Sequence, residues 1–244
     1  MVRFFVTAGE LSGEMLTLTG ENAQHAKVLR LKEGEQVLVC DGAGMEALCT
    51  ITGAAGNVWD LSVEEIREST SEAAVSVSVY MAFPKADKLE HVIQKATELG
   101  AFEIVAFPSE RCVSRPDDKA LGKKLERWQK IAASAAEQSG RGMIPRVRCV
   151  GSFREAVEDA ARKDLSVLLY ENEEQFSLRQ SLQNGDFSTV SLMTGPEGGF
   201  TADEVRQAQA AGLKICTLGP RILRCETAPL CALTAVLFAA GELD

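Results

Sequence analysis

Up to about residue 70 the apolar positions come in short runs: Val2 to Thr7, Met15 to Leu18, Gln36 to Cys40, Ala47 to Ile51 and Val58 to Val63. Between them stand Gly20, Gly34, Gly42, Gly44, Gly53 and Gly56. Short strands broken at regular turn spacing predict a small β-barrel, interrupted by one short helix over Ala23 to Leu29. The tract Arg67 to Glu72 is polar and without apolar periodicity, so it reads as a linker that closes a first domain at residues 1–70.

Beyond Ala73 the period changes. Val75 to Phe83 reads as a strand, and Asp87 to Leu99 as a helix with Leu89, Val92, Ile93 and Ala96 on one face and Gly100 as its stop. Ile104 to Pro108 is the next strand. A long helix, Lys119 to Gln138, carries the stripe Leu121, Leu125, Trp128, Ala132 and Ala135. There follow a strand from Arg146 to Val150, a helix from Phe153 to Arg162, and strands over Leu165 to Tyr170, Val190 to Met193 and Leu213 to Leu218. Thr201 and Glu204 have capping-box spacing and open a helix between the last two strands; an apolar helix from Pro229 to Ala240 ends the pattern. Alternation of this kind predicts an α/β second domain, residues 73–244, built on a mostly parallel sheet with helices on both faces. Ligands of such sheets sit beyond the C-terminal strand ends.

Composition narrows the classes. The 244 residues suffice for two cores, and 45% apolar with 25% charged residues is ordinary for a globular protein. No segment approaches the ~20 apolar residues of a bilayer span, and the N-terminal stretch does not predict a cleavable signal peptide. The expectation is a cytoplasmic protein with no membrane partner. Seven scattered cysteines, no Cys-x-x-Cys pair and two histidines predict neither a metal site nor a disulfide framework. Cys225 reads as a small apolar side chain rather than a nucleophile. The net charge of -9 opposes a nucleic-acid partner, yet the stretch from Cys112 to Val150 holds nine basic and four acidic residues, hence +5. Local charge weighs more than the total.

Two glycine-punctuated segments carry the candidate chemistry: Met193-Thr-Gly-Pro-Glu-Gly-Gly-Phe200 and Leu218-Gly-Pro-Arg-Ile-Leu-Arg-Cys-Glu-Thr-Ala228. Each follows a strand and leads into a helix, so backbone groups lie bare beside free N–H groups of a helix start. With the strand end Leu169-Tyr170-Glu171 they outline a small-molecule pocket. A Gly-x-Gly-x-x-Gly dinucleotide fingerprint is absent.

Together these loops resemble the RsmE family of ribosomal RNA methyltransferases. Further blocks extend the resemblance along nearly the whole chain: Arg3-Phe-Phe-Val6, His25-Ala-Lys-Val-Leu-Arg-Leu31, Lys85 to Glu90 running on to Thr97-Glu-Leu-Gly100, Glu110-Arg-Cys-Val-Ser-Arg115 and Glu137-Gln-Ser-Gly-Arg141. The resemblance implies a knotted SPOUT methyltransferase domain preceded by a PUA-like RNA-binding barrel, and a homodimer. It implies transfer of methyl from S-adenosylmethionine to N3 of a uridine in 16S rRNA of the small ribosomal subunit, without a metal. Two rival readings are a knotted methyltransferase acting on another base or a ribose oxygen, and a non-catalytic ribosome-assembly protein.

Carried onto this chain, the family motifs assign the cofactor to Leu169, Tyr170, Thr194, Gly195, Pro196, Glu197, Gly198 and Gly199, and to Leu218, Gly219, Ile222, Leu223, Arg224 and Thr227 of the second loop. Aliphatic Leu218, Ile222 and Leu223 would supply the flat apolar walls that an adenine ring needs. N3 of uracil carries a proton whose pKa lies roughly two units above neutrality, so stabilising its anion takes about 2.7 kcal/mol. Arg224 is the first candidate for that task. Glu226 would accept the proton or orient the arginine, with Glu197 as an alternative, and Arg141 would contact phosphate or uracil. RNA contacts fall to Arg3, His25, Arg30, Arg111, Arg115, Gln138 and Arg141, which would position the substrate without reading bases. Lys85 and Lys88, opening an amphipathic helix, read as solvated.

Overall fold

The computed structural model describes residues 1–7, 9–183 and 187–243. They form two compact units, one of Met1–Glu72 with Ala136–Ile144 and one of Ala73–Ala135 with Pro145–Asp244.

In the smaller unit, β1 (Arg3–Phe5), β2 (Met15–Leu18), α1 (Gly20–Val28), β3 (Gln36–Cys40), β4 (Met45–Ala55) and β5 (Val58–Glu68) form a five-stranded sheet in the order β1-β3-β4-β5-β2. Only the β1/β3 pair is parallel. Inward positions alternate along the strands, and Phe4, Leu16, Leu18, Val37, Val39, Ala47, Ile51 and Leu61 bury a common core with Ala23 and Ala26 of α1. Register shifts between Leu48 and Cys49 and between Ile51 and Gly53 bend the long β4–β5 ribbon, as bulges do.

The tract expected to be a linker is held more firmly than its polarity suggests. β5 runs through Glu68, and Arg67 lies opposite Glu46 across the β4–β5 pair, its Nε donating to the carboxylate at 3.0 Å. Arg3 Nη1 donates to the same carboxylate at 2.7 Å. Burial pushes the Glu46 carboxyl up, but the hydrogen bonds from Arg3 and Arg67 outweigh it and hold it below the usual range. Glu72 accepts from Arg141 Nη2 at 2.5 Å and from the backbone N–H groups of Gly142 and Met143 at 2.9 and 3.1 Å. Polar residues have ordered this tract through charge, which apolar periodicity does not register.

The larger unit alternates as expected: β6 (Ser76–Ala82), α2 (Lys88–Leu99), β7 (Glu103–Phe107), α3 (Asp118–Ser139), β8 (Arg146–Cys149), α4 (Phe153–Ala160), β9 (Leu165–Leu169), α5 (Leu178–Leu182), β10 (Thr189–Thr194), α6 (Ala202–Ala210), β11 (Lys214–Cys216) and α7 (Ala228–Ala239). Its six strands are all parallel, ordered β11-β9-β10-β6-β7-β8. Tyr80, Val105, Leu168, Met193 and Ile215 face α4 and α6 around Phe107, Phe153 and Phe200. After β11 the chain returns across the sheet and packs α7 on α2, α5, β6 and β10. Near-continuous burial of β6, β7, β9 and β10 is what helices on both faces demand.

Local signals account for the helix ends. Gly100 (φ 106°) and Gly140 (φ 75°) take the left-handed conformation that stops α2 and α3. At α6 both halves of the capping box form: Thr201 Oγ1 accepts from the Glu204 N–H at 3.3 Å and Glu204 Oε2 accepts from the Thr201 N–H at 2.9 Å. Thr201→Ala is expected to lower stability by about 1 kcal/mol, a fall in Tm of about 2–4 °C for a chain of this size in a calorimetric scan. The short helix α5 was not expected from periodicity; its signal is the capping box of Ser177 with Gln180.

Candidate functional site

The C-terminal ends of β9, β10 and β11 surround a cavity of about 940 Å³. Its walls come from Leu169 to Glu171, from Thr194 to Gly199 and from Cys216 to Cys225, with Glu173, Glu174, Lys88 and Ala228 at the margins. Both glycine loops are thus brought to one space. Of the residues assigned to the cofactor, Leu169, Tyr170, Thr194, Gly195, Pro196, Glu197, Gly198, Gly199, Leu218, Gly219, Ile222, Leu223 and Arg224 all line it, and Thr227 does not. Thr227 begins α7 without a side-chain cap bond and lines a separate shallow recess on that helix.

The first loop is shaped by close approach of backbone. A Cβ on Gly195 would meet the backbone C and Cα of Gly199 at 3.1 and 3.2 Å. Gly199 has φ 65°, and a Cβ there would land on the carboxylate of Glu171. Arg111 Nη1 donates to the Gly198 carbonyl at 2.7 Å, so this arginine braces the loop. Thr194 Oγ1 donates to the Tyr80 carbonyl at 3.2 Å and anchors the strand end.

The second loop presents apolar surface to solvent. Ile222 is 85% exposed, and Leu223 and Leu218 are half-buried beside it. An aliphatic side chain this bare at a cavity rim is surface that an aromatic ring would cover. Arg224 is exposed and its guanidinium makes no hydrogen bond or ion pair among the described residues. Glu226 behaves differently. Its Oε2 lies 3.2 Å from Lys88 Nζ and accepts from Cys225 Sγ at 3.2 Å, with no bond to Arg224. Slight burial pushes the Glu226 carboxyl up, but its own backbone N–H, Cys225 and Lys88 outweigh that and hold it below the usual range. Burial, then Glu226, pushes the Cys225 thiol up to about 12, so it stays protonated at neutral pH.

Lys88 was expected to be solvated and instead joins the cavity; a lysine in the first turn of an amphipathic helix gives no sequence signal of such a role. Glu173, Glu174, Thr217, Pro220 and Arg221 were also missed as lining residues. Among the described residues no group of three or more His, Cys, Asp and Glu side chains could hold a metal ion.

The candidate RNA contacts are dispersed. Arg3 is engaged with Glu46, and His25 Nδ1 lies 2.7 Å from Glu137 within the smaller unit. Arg141 does not line the cavity: it is 3% exposed and bound to Glu72, so its guanidinium serves the smaller unit's own packing. Arg30 and Gln138 are exposed, and Arg115 donates to the Ser109 carbonyl.

Comparison with known proteins places this geometry. The RNA methyltransferase domain family matches residues 71–237, and the RNA methyltransferase PUA domain family matches residues 18–57. Ribosomal RNA small subunit methyltransferase E of Bacillus subtilis (strain 168) is 38% identical over 252 residues, covering 98% of this chain and 96% of its own. The chain belongs to the RsmE family. The Mycobacterium bovis protein of the same name is 35% identical, with 96% and 90% covered. Among solved structures, the ribosomal RNA small subunit methyltransferase E of Neisseria gonorrhoeae bound to S-adenosyl methionine superposes with a TM-score of 0.86 at 30% identity, covering 98% of this chain and 97% of that one. The RsmE fold, a PUA-like domain with a SPOUT methyltransferase domain, is therefore the fold of this chain, and the family resemblance seen in the sequence holds.

Proposed function

We propose that this RsmE-family chain transfers the methyl group of S-adenosylmethionine to N3 of a uridine in 16S rRNA, acting in the cytoplasm as a homodimer. The observation that carries the reading is the cavity between the two glycine loops, with the unpaired Arg224 at its wall. Its size falls within the roughly 300–1,000 Å³ of small-molecule sites. Cavity-lining Gly195 and Gly199, apolar Leu218, Ile222 and Leu223, and acidic Glu171, Glu173 and Glu174 fit a nucleoside that carries hydroxyls and a positive sulfonium. The donor supplies a methyl group already activated by that sulfonium, so the chain's residues need only bind, orient and manage one proton.

Arg224 supplies the second part of that task. A guanidinium with no carboxylate partner among the described residues is available to stabilise the negative charge that develops on uracil as N3 loses its proton. Glu226, held in its charged form by Lys88 and Cys225 at Oε2, is a weak proton acceptor and makes no bond to Arg224. Exposed Arg30 and Gln138 are the RNA contacts best placed to meet phosphate. For the dimer, half-buried Leu230 and exposed Cys231, Thr234 and Phe238 on α7 offer a largely apolar face, with Phe238 70% exposed.

The test is direct. Small subunits lacking the modification, incubated with labelled donor and this protein, should acquire one methyl group that nucleoside mass spectrometry identifies as 3-methyluridine. Label on another base or on ribose would replace the N3 assignment, and a protein that binds no donor at high micromolar concentration would be an assembly factor instead.

A further inference from the structure

Beside the cavity, Lys88 Nζ lies 3.2 Å from Glu197 Oε1 of the first glycine loop and 3.2 Å from Glu226 Oε2 of the second. Cys225 Sγ is 3.7 Å from the same ammonium. The turn before α2 contributes as well, since the Lys85 N–H donates to Glu197 Oε1 at 3.0 Å. Ala86 in that turn has φ 55°, a conformation that alanine adopts only when its surroundings require it. Among the described residues no hydrogen bond runs directly from Gly195–Gly199 to Leu218–Glu226, so the ammonium is the polar link between the two loops.

We propose that Lys88 is a positioning residue for methyl transfer, clamping the Glu197 and Glu226 carboxylates so that the two loops are already spaced for the donor before it binds. The inference rests on the reading of the cavity as the S-adenosylmethionine site. Two carboxylates share one ammonium here, and without it they repel each other across the opening between the loops. The Lys88 ammonium is stabilised by Glu197 and then Glu226, which raise its pKa, so the clamp stays charged throughout the neutral range. Binding to loops already in place avoids the cost of ordering them, which is how preorganisation raises affinity. Among the described residues the Lys88 ammonium makes no hydrogen bond to either loop's backbone; it acts through the two glutamates.

The test compares Lys88→Met, Lys88→Arg and the double variant Lys88→Met/Glu226→Gln with wild type, using the full chain. Calorimetry gives the Kd for S-adenosylmethionine and for its demethylated product, and methylation of small subunits gives kcat and KM for the donor. Lys88→Met should weaken donor binding about tenfold and raise KM in step, with kcat at saturating donor changed less than about threefold. Lys88→Arg keeps the charge and should restore affinity to within about threefold of wild type. The double variant, which removes the repulsion, should recover part of the lost affinity. A fall in kcat with unchanged Kd would overturn the positioning role, as would a Lys88→Met protein that binds donor like wild type, or a double variant no better than the single one. Absence of donor binding in wild type takes down the cavity assignment and the clamp together. Wild-type binding with an unaltered Lys88→Met removes the clamp alone.

Discussion

Replacing Gly199 by valine is expected to weaken binding of S-adenosylmethionine by about 100-fold, roughly 3 kcal/mol. Three effects add. The backbone there has φ 65°, which a β-branched residue adopts only under strain of about 1–2 kcal/mol. The new Cβ falls on the Glu171 carboxylate, which must leave its place at the cavity wall. Gly199 also packs its backbone against Gly195, so relief by moving the loop opens the other side of the turn. Calorimetric titration with the donor reads the effect, and Gly199→Ala should fall between wild type and valine. Affinity within threefold of wild type in a folded variant would mean that the loop's shape does not govern binding.

Arg224→Ala should lower kcat on small subunits by about 100-fold, equivalent to the 2.7 kcal/mol that brings a uracil pKa roughly two units above neutrality down to pH 7. Its Kd for the donor should change less than about threefold, because the guanidinium's task is charge on the substrate. The pH profile separates this role from a structural one. An unassisted uracil ionises as pH rises, so the variant's rate should climb about tenfold per unit from pH 7 to about 9, while wild type is already levelling off. Parallel profiles for the two proteins, or equal rates at pH 7, would remove Arg224 from the proton step.

Much of this molecule was legible in its sequence because the signals were local. Gly100, the Thr201 and Glu204 box, and the two glycine loops each depend on residues a few positions apart, and each appears where spacing put it. What escaped was made by long-range charge. Lys88 meets Glu197 and Glu226 from more than a hundred positions away, and nothing in a first-turn lysine announces that. Arg3 and Arg141 were named as substrate contacts through the family blocks they sit in, and nothing in the sequence signalled the carboxylates, Glu46 and Glu72, that each of them meets. Glu226 was left open between two tasks, and its bonds favour neither, because its ionic partner, Lys88, comes from the distant helix α2. The strand order β11-β9-β10-β6-β7-β8 and the return of α7 across the sheet were not legible at all, since no periodicity encodes connectivity; the family resemblance implied only the knotted class.

The hold of Glu72 on residues 141–143 has a consequence for synthesis. Ile144 donates its N–H to the Gly42 carbonyl at 3.1 Å, so the smaller unit is completed by a segment encoded far downstream of its strands. A nascent chain elongating at about 5–20 residues per second must wait several seconds between finishing β5 and acquiring its last partners. During that interval Glu72 has no guanidinium to meet. A fragment ending at residue 72 would remain in that unfinished state permanently, so dissecting the protein for separate study calls for a graft of the 136–144 stretch rather than a simple cut.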